Sequence, residues 1–127
     1  MKKEIISTTK APAAIGPYSQ AIKAGNMVYT SGQLPINTTT GELINDDIKK
    51  ATAQSLDNVK AILEEAGTSM DKVVKTLVLL KDMNDFAAMN EVYATYFVEN
   101  PPARSCFQVA SLPKDALVEI EVVAIAE

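Results

Sequence analysis

Apolar positions along this chain repeat in two rhythms, and each rhythm marks an element. A period of two runs through Ala103–Val109: Ala103, Ser105, Phe107 and Val109 share one face, and Arg104, Cys106 and Gln108 the other. It returns from Leu117 to about Ala126, with Val118, Ile120, Val122 and Ala124 on one side and Glu119 and Glu121 opposite. Gln20–Ala24 and Met27–Ser31 read as two strands joined by a turn at Gly25-Asn26, and Ile5-Ile6 as part of a short strand ending near Ser7-Thr8-Thr9. The run VVKTLVLLK, Val73–Lys81, is apolar and β-branched, which predicts a strand buried on both sides. Helical spacing appears twice. Ile48, Thr52, Leu56, Val59, Leu63 and Ala66 follow the cap candidates Asn45-Asp46-Asp47 and stop at Gly67. A second helix is expected from Asn84-Asp85, with Phe86, Met89, Tyr93 and Tyr96/Phe97 as its core stripe and Asn90 off that stripe. Pro101 and Pro102 cannot continue a helix and favour extended backbone before them.

The order β-β-β-α-β-α-β-β predicts an α+β fold, a mixed β-sheet with two helices packed on one face. At 127 residues the whole chain, 1–127, is expected to be one domain. Two helices on one side leave the other sheet face uncovered, so a homo-oligomer with contacts through the sheet is expected.

Composition narrows the chemistry. Net charge is −4, with no cluster of lysine or arginine, which argues against nucleic acid as the main partner. One cysteine excludes an internal disulfide and a thiolate metal site. The start Met1-Lys2-Lys3-Glu4 lacks the apolar run of a signal peptide, and no stretch reaches membrane-spanning length, so a soluble cytoplasmic protein with no membrane partner is expected. Histidine is absent, which removes histidine-based triads, dyads and metal sites together. Catalysis would have to rest on carboxylates, tyrosine, lysine, the thiol, backbone amides or water.

Arg104 stands at the head of its strand, where a fixed backbone would aim its planar fork at a carboxylate. The same pattern suits an edge-strand arginine that keeps the sheet soluble. Gly32 follows a strand, where a missing side chain would admit a ligand to the backbone, or simply ends it. Tyr18 suits packing as well as chemistry.

The stretches APAAIGPYSQAI, NMVYTSGQLP, QSLDNVKAILEEAG, VVKTLVLLKDMNDFAAMNEVY and NPPARSC…LPKDALVEIEVVAIA together resemble the RidA (YjgF-type) reactive-intermediate deaminases over nearly the whole chain. The resemblance implies a chorismate-mutase-like fold and a homotrimer with clefts between subunits. It also implies hydrolysis of 2-imino acids, formed from enamines such as 2-aminoacrylate, to 2-keto acids and ammonia, without cofactor or metal. Carried over residue by residue, Arg104 would clamp the substrate carboxylate, and Gly32 with Ser31 would line the pocket. Tyr18, Asn90 and Cys106 would fall on pocket positions, and Glu119 would handle the water; at Cys106 the backbone is the expected contributor. Two other roles within the family's range are a small-acid-sensing regulatory protein and a ribonuclease or translation inhibitor. Arg104 and Glu119 each lie near the start of a strand. If those strands run antiparallel, the two residues sit on the order of 15 Å apart in one chain. The expected site then takes Arg104 from one protomer and Glu119, with Gly32, from its neighbour.

Overall fold

The computed structural model describes residues 2–127. Six strands and two helices follow one another as β1 (Lys3–Ile6), β2 (Ala21–Ala24), β3 (Met27–Thr30), α1 (Ile48–Glu65), β4 (Val73–Leu80), α2 (Phe86–Tyr96), β5 (Ala103–Gln108) and β6 (Val118–Ile125). The element order is the one expected, and the strands form a single mixed sheet in the order β1-β2-β3-β6-β4-β5. All pairings are antiparallel except β4 with β5, which the crossover through α2 makes parallel.

Local chemistry explains the boundaries. Between β2 and β3 only Gly25 of the two turn residues takes a positive φ (60°), as a turn with glycine first requires. Asp47 caps α1, its carboxylate accepting from the amides of Lys49 (2.8 Å) and Lys50 (3.3 Å). At the other end Gly67 turns left-handed (φ 84°), so that its amide reaches Glu64 O and the amide of Thr68 reaches Leu63 O, closing the last turn. The second helix begins where expected, at Phe86 with Asp85 as its N-cap, although the Asp85 side chain makes no capping hydrogen bond. A 3-10 turn over Met83–Asp85 precedes it, capped by Asp82, whose carboxylate accepts from the Asn84 amide at 2.8 Å. Asn100, expected to be extended before Pro101, instead adopts φ 50°, a left-handed state asparagine tolerates.

Both helices cover one face of the sheet. Leu56, Val59, Ile62 and Leu63 of α1 and Met89 of α2 close against Val28, Val78, Leu80, Val118 and Ile120, all fully buried. Among the described residues nothing covers the opposite face. Registers align Ile5, Ile22, Tyr29 and Val123 across β1, β2, β3 and β6, and Leu77, Leu79 and Phe107 continue the same side on β4 and β5. Ile5, Tyr29 and Phe107 are about half exposed or more, at 64%, 48% and 54%. The expectation that β4 is buried on both sides therefore fails for the isolated chain: Thr76, Val78 and Leu80 are buried, while Lys75 is exposed and Leu77 and Leu79 are only partly covered. The apolar run reflects a face that no helix of this chain reaches. Among the described residues no helix is long and apolar enough to cross a membrane.

Candidate active site

The expected site residues fall into two groups on opposite sides of the sheet. One group gathers where β3 runs out beside β6. Gln33 bridges Ile120 through Gln33 N–H to Ile120 O (2.7 Å) and Ile120 N–H to Gln33 O (3.1 Å), which lays Gly32 against the side chain of Glu119. Gly32 does not take a positive φ; what it supplies is space. A Cβ there would lie 2.5 Å from Oε1 and 2.7 Å from Cδ of Glu119. The room expected above Gly32 for a ligand is thus occupied first by the Glu119 carboxylate. Burial raises the pKa of that carboxyl, and the negative charge of Glu121 two residues on raises it further.

Tyr18 approaches the same region on the loop before β2. Gln20 is the strut of this loop, fully engaged and buried: its Nε2 donates to the carbonyls of Thr8 (3.1 Å), Ala11 (3.3 Å) and Pro12 (2.7 Å), and its Oε1 accepts from Thr8 N–H (2.7 Å). The Ser31 hydroxyl donates to Ser19 O at 2.6 Å, so its role in this structure is to hold the Tyr18 loop. Tyr18 is half exposed and, with Gly32, Gln33 and Ser19, lines an open cavity of about 740 Å³.

The second group lies on the helix-covered face at the free edge of the sheet. Arg104 is the only arginine in the sequence. The parallel register sets it beside Thr76 of β4, and its side chain reaches up to α2. Its Nη1 donates to Asn90 Oδ1 at 2.7 Å, and Cζ sits 4.8 Å from the centroid of the Tyr93 ring and 5.4 Å from that of Phe86. Neither ion pair found among the described residues involves it: those join Lys49 to Glu91 and Lys81 to Asp115. The guanidinium borders an open depression with Asn90, Tyr93, Phe97 and the two prolines. Cys106 follows on the same face beside Val78, packed against the core. Burial pushes its thiol pKa up, and the nearby Arg104 charge only partly opposes this, so a ready thiolate is not what the site offers. Its backbone is better placed. β5 is an edge strand, and Val109 N–H donates inward to Leu80 O (3.0 Å), so alternation along the strand turns the amide of Cys106 to the unpaired side.

The ladders keep the two groups apart in one chain. Arg104 is level with Thr76 and Glu119 with Leu79, which are three positions apart on β4, so the side chains leave opposite faces of the sheet. The strand spacing and rise place their Cα atoms roughly 14 Å apart. The alternation of faces, which the sequence reading did not use, separates them as much as the distance along the strands does.

Gln20, Thr76, Phe86 and Tyr93 were not expected at the site. Gln20 carries no pattern that marks it. Phe86 and Tyr93 do carry one, the core stripe of α2, which packing explains equally well, and Asn90, expected off that stripe, flanks it at i+4 from Phe86.

Residues 8–126 match the family model described as Endoribonuclease L-PSP. A RutC family protein of Pyrococcus abyssi is 57% identical over 127 residues, covering 100% of both chains. The 2-iminobutanoate/2-iminopropanoate deaminase of Escherichia coli K12 is 53% identical over 123 residues, 94% of this chain and 95% of that one. The crystal structure of E. coli TdcF with bound serine superposes with a TM-score of 0.94 at 48% identity, covering 98% of this chain and 99% of the other.

Proposed function

The chain belongs to the Endoribonuclease L-PSP (YjgF/RutC, or Rid) family, and from that membership we propose that it is a 2-iminobutanoate/2-iminopropanoate deaminase working in clefts between the subunits of a homotrimer. The observation that carries this reading is Arg104: an arginine seated by an amide and two aromatic rings, bordering an open depression, and paired with no carboxylate among the described residues. A guanidinium held this way suits the carboxylate of a small 2-imino acid. The relative named for this reaction and the bound serine of TdcF, a three-carbon 2-amino acid, support a ligand of that class.

The proposed chemistry needs placement more than a strong catalyst. Arg104 binds the carboxylate, with the Cys106 amide beside it on the strand edge. Glu119 of the neighbouring protomer, lying over Gly32, takes a proton from water as the water oxygen bonds to the imine carbon. That proton passes to nitrogen, giving a carbinolamine. The second proton of the added water then follows by the same carboxylate as the hydroxyl oxygen becomes the keto C=O and the C–N bond breaks, and 2-keto acid and ammonia leave. A carboxyl pKa raised by burial brings this acid–base group nearer to working pH, which improves both proton transfers. The arginine contact contributes about 1.5–3 kcal/mol, enough to orient a reactive imine but not to break bonds. Tyr18 closes the Gly32 side and can hydrogen-bond the substrate.

The test is imine generated in situ by a dehydratase or amino-acid oxidase, with keto-acid release followed for the wild type and Arg104→Lys. Acceleration over spontaneous hydrolysis, with KM raised on losing the fork, is expected. No acceleration, with small acids still bound, would favour a sensing role. The family description also names an endoribonuclease; net charge −4 and the absence of histidine oppose that reading, and RNA cleavage lost with Arg104 would revive it.

A further inference from the structure

We infer that Phe86, Asn90 and Tyr93 form a preset cradle whose task is to fix the plane of the Arg104 guanidinium, so that these residues of α2 are positioning residues rather than core filling. The inference rests on the carboxylate-binding role proposed for Arg104. Three observations carry it. First, the three side chains are spaced i, i+4, i+7, so one helix face meets one guanidinium. The rings take it from the face at 4.8 and 5.4 Å, and the amide takes it at Nη1 at 2.7 Å. A planar cation touched on its face and at one corner has lost its freedom to rotate, while its remaining N–H groups stay available to an anion.

Second, the nearer ring is itself pinned. Tyr93 OH and Thr76 Oγ1 are 2.7 Å apart in a buried hydrogen bond, and Thr76 is the residue directly beside Arg104 in the ladder. Tyr93 also packs against Phe97, ring centroids 4.7 Å apart and planes tilted by 43°. The strand that carries the arginine and the ring that holds it are therefore tied to the same threonine, and the cradle cannot drift from its cargo. Third, the contacts are made without a carboxylate. An aspartate or glutamate in place of Asn90 would hold the arginine more tightly, but it would compete with the incoming acid. A neutral amide orients the cation and leaves its charge unspent.

The consequence is affinity through preorganisation: the substrate carboxylate meets a fork that is already ordered. Because the sequence has a single arginine, its Nε–H gives one unambiguous ¹⁵N resonance whose order parameter reports the cradle directly. In the ligand-free wild type it is expected near the rigid-backbone range, about 0.8. Phe86→Leu keeps an apolar side chain at a partly exposed position and is expected to fold. It should lower the order parameter and raise the Kd for 2-oxobutanoate, used as an inert acid probe, about threefold to tenfold. Tyr93→Leu should do both more strongly, and Tyr93→Phe, which keeps the ring, should lie close to the wild type. A wild-type order parameter in the freely rotating range, below about 0.6, would overturn the inference. So would 2-oxobutanoate binding unchanged in both leucine variants while Arg104→Ala abolishes it. If Arg104→Ala itself binds the probe normally, the carboxylate role of Arg104 is what fails, and the cradle's purpose fails with it.

Discussion

On the proposed mechanism, a methyl group at Gly32 would separate stability from activity. The added Cβ would stand 2.5 Å from Oε1, 2.7 Å from Cδ and 2.9 Å from Cγ of Glu119, distances real Cβ contacts do not reach, so most of that flexible side chain must swing aside. Gly32→Ala is therefore expected to leave the melting temperature nearly unchanged while displacing the carboxylate from its station. Misplacement of a reacting group by about 1 Å costs on the order of 100-fold, so kcat for imine hydrolysis should fall 10- to 100-fold. Glu121 offers the complementary handle. Its charge opposes ionisation of Glu119, so Glu121→Gln lowers the pKa of Glu119 and the ionised form persists to lower pH. The acid limb of the kcat/KM profile should accordingly move down in pH; a limb that stays put or moves up would show that Glu119 is not the titrating base. These residues were only partly legible. Arg104, Glu119 and Gly32 were expected from the family resemblance. That Glu119 and Gly32 share a chain was expected too; that the glycine's missing side chain makes room for the carboxylate, and that Asn90 holds the arginine, depends on long-range register, which one strand's sequence does not encode.

At the scale of elements, turn and cap chemistry was readable because it is local. Gly25, Asp47 and Gly67 announce the hairpin and both ends of α1 through demands made within a few residues. The start of α2 was readable in the same way, at Asp85 before Phe86, but the 3-10 turn over Met83–Asp85 that leads into it, capped by Asp82, was not. The loop before β2 was the least legible piece. It forms no helix or strand and depends on side chains: the buried amide of Gln20, whose partners lie 8 to 12 residues earlier, and the Ser31 hydroxyl. Gln20→Ala would strand several of those groups. Unmet buried partners cost about 1–3 kcal/mol each, but a surface loop regains some through water, so a loss near 2–3 kcal/mol is expected in urea unfolding. KM should rise as well, since Tyr18 rides on this loop. A stability loss with unchanged KM would remove Tyr18 from the substrate's surroundings.

For the whole molecule, one sheet face decides the matter. Ile5, Ile22, Tyr29, Val123, Leu77, Leu79 and Phe107 make an apolar surface that six strands present and no helix covers. The chain's pattern already required a cover, since β4 reads as buried on both sides and yet is closed on one. Association of copies would supply the second side. It would also offer a way past the sheet that holds Arg104 and Glu119 apart within one chain. The most direct test is complementation. Arg104→Ala and Glu119→Gln proteins, each inactive alone, are mixed in equal amounts under conditions that let subunits exchange, and imine hydrolysis is measured. If each site takes its arginine from one protomer and its glutamate from the next, random exchange in a closed ring leaves about a quarter of the sites intact, and activity should return to roughly that fraction of the wild type. No recovery after exchange has been demonstrated by mass would contradict the account, because it would mean that both residues must come from the same chain.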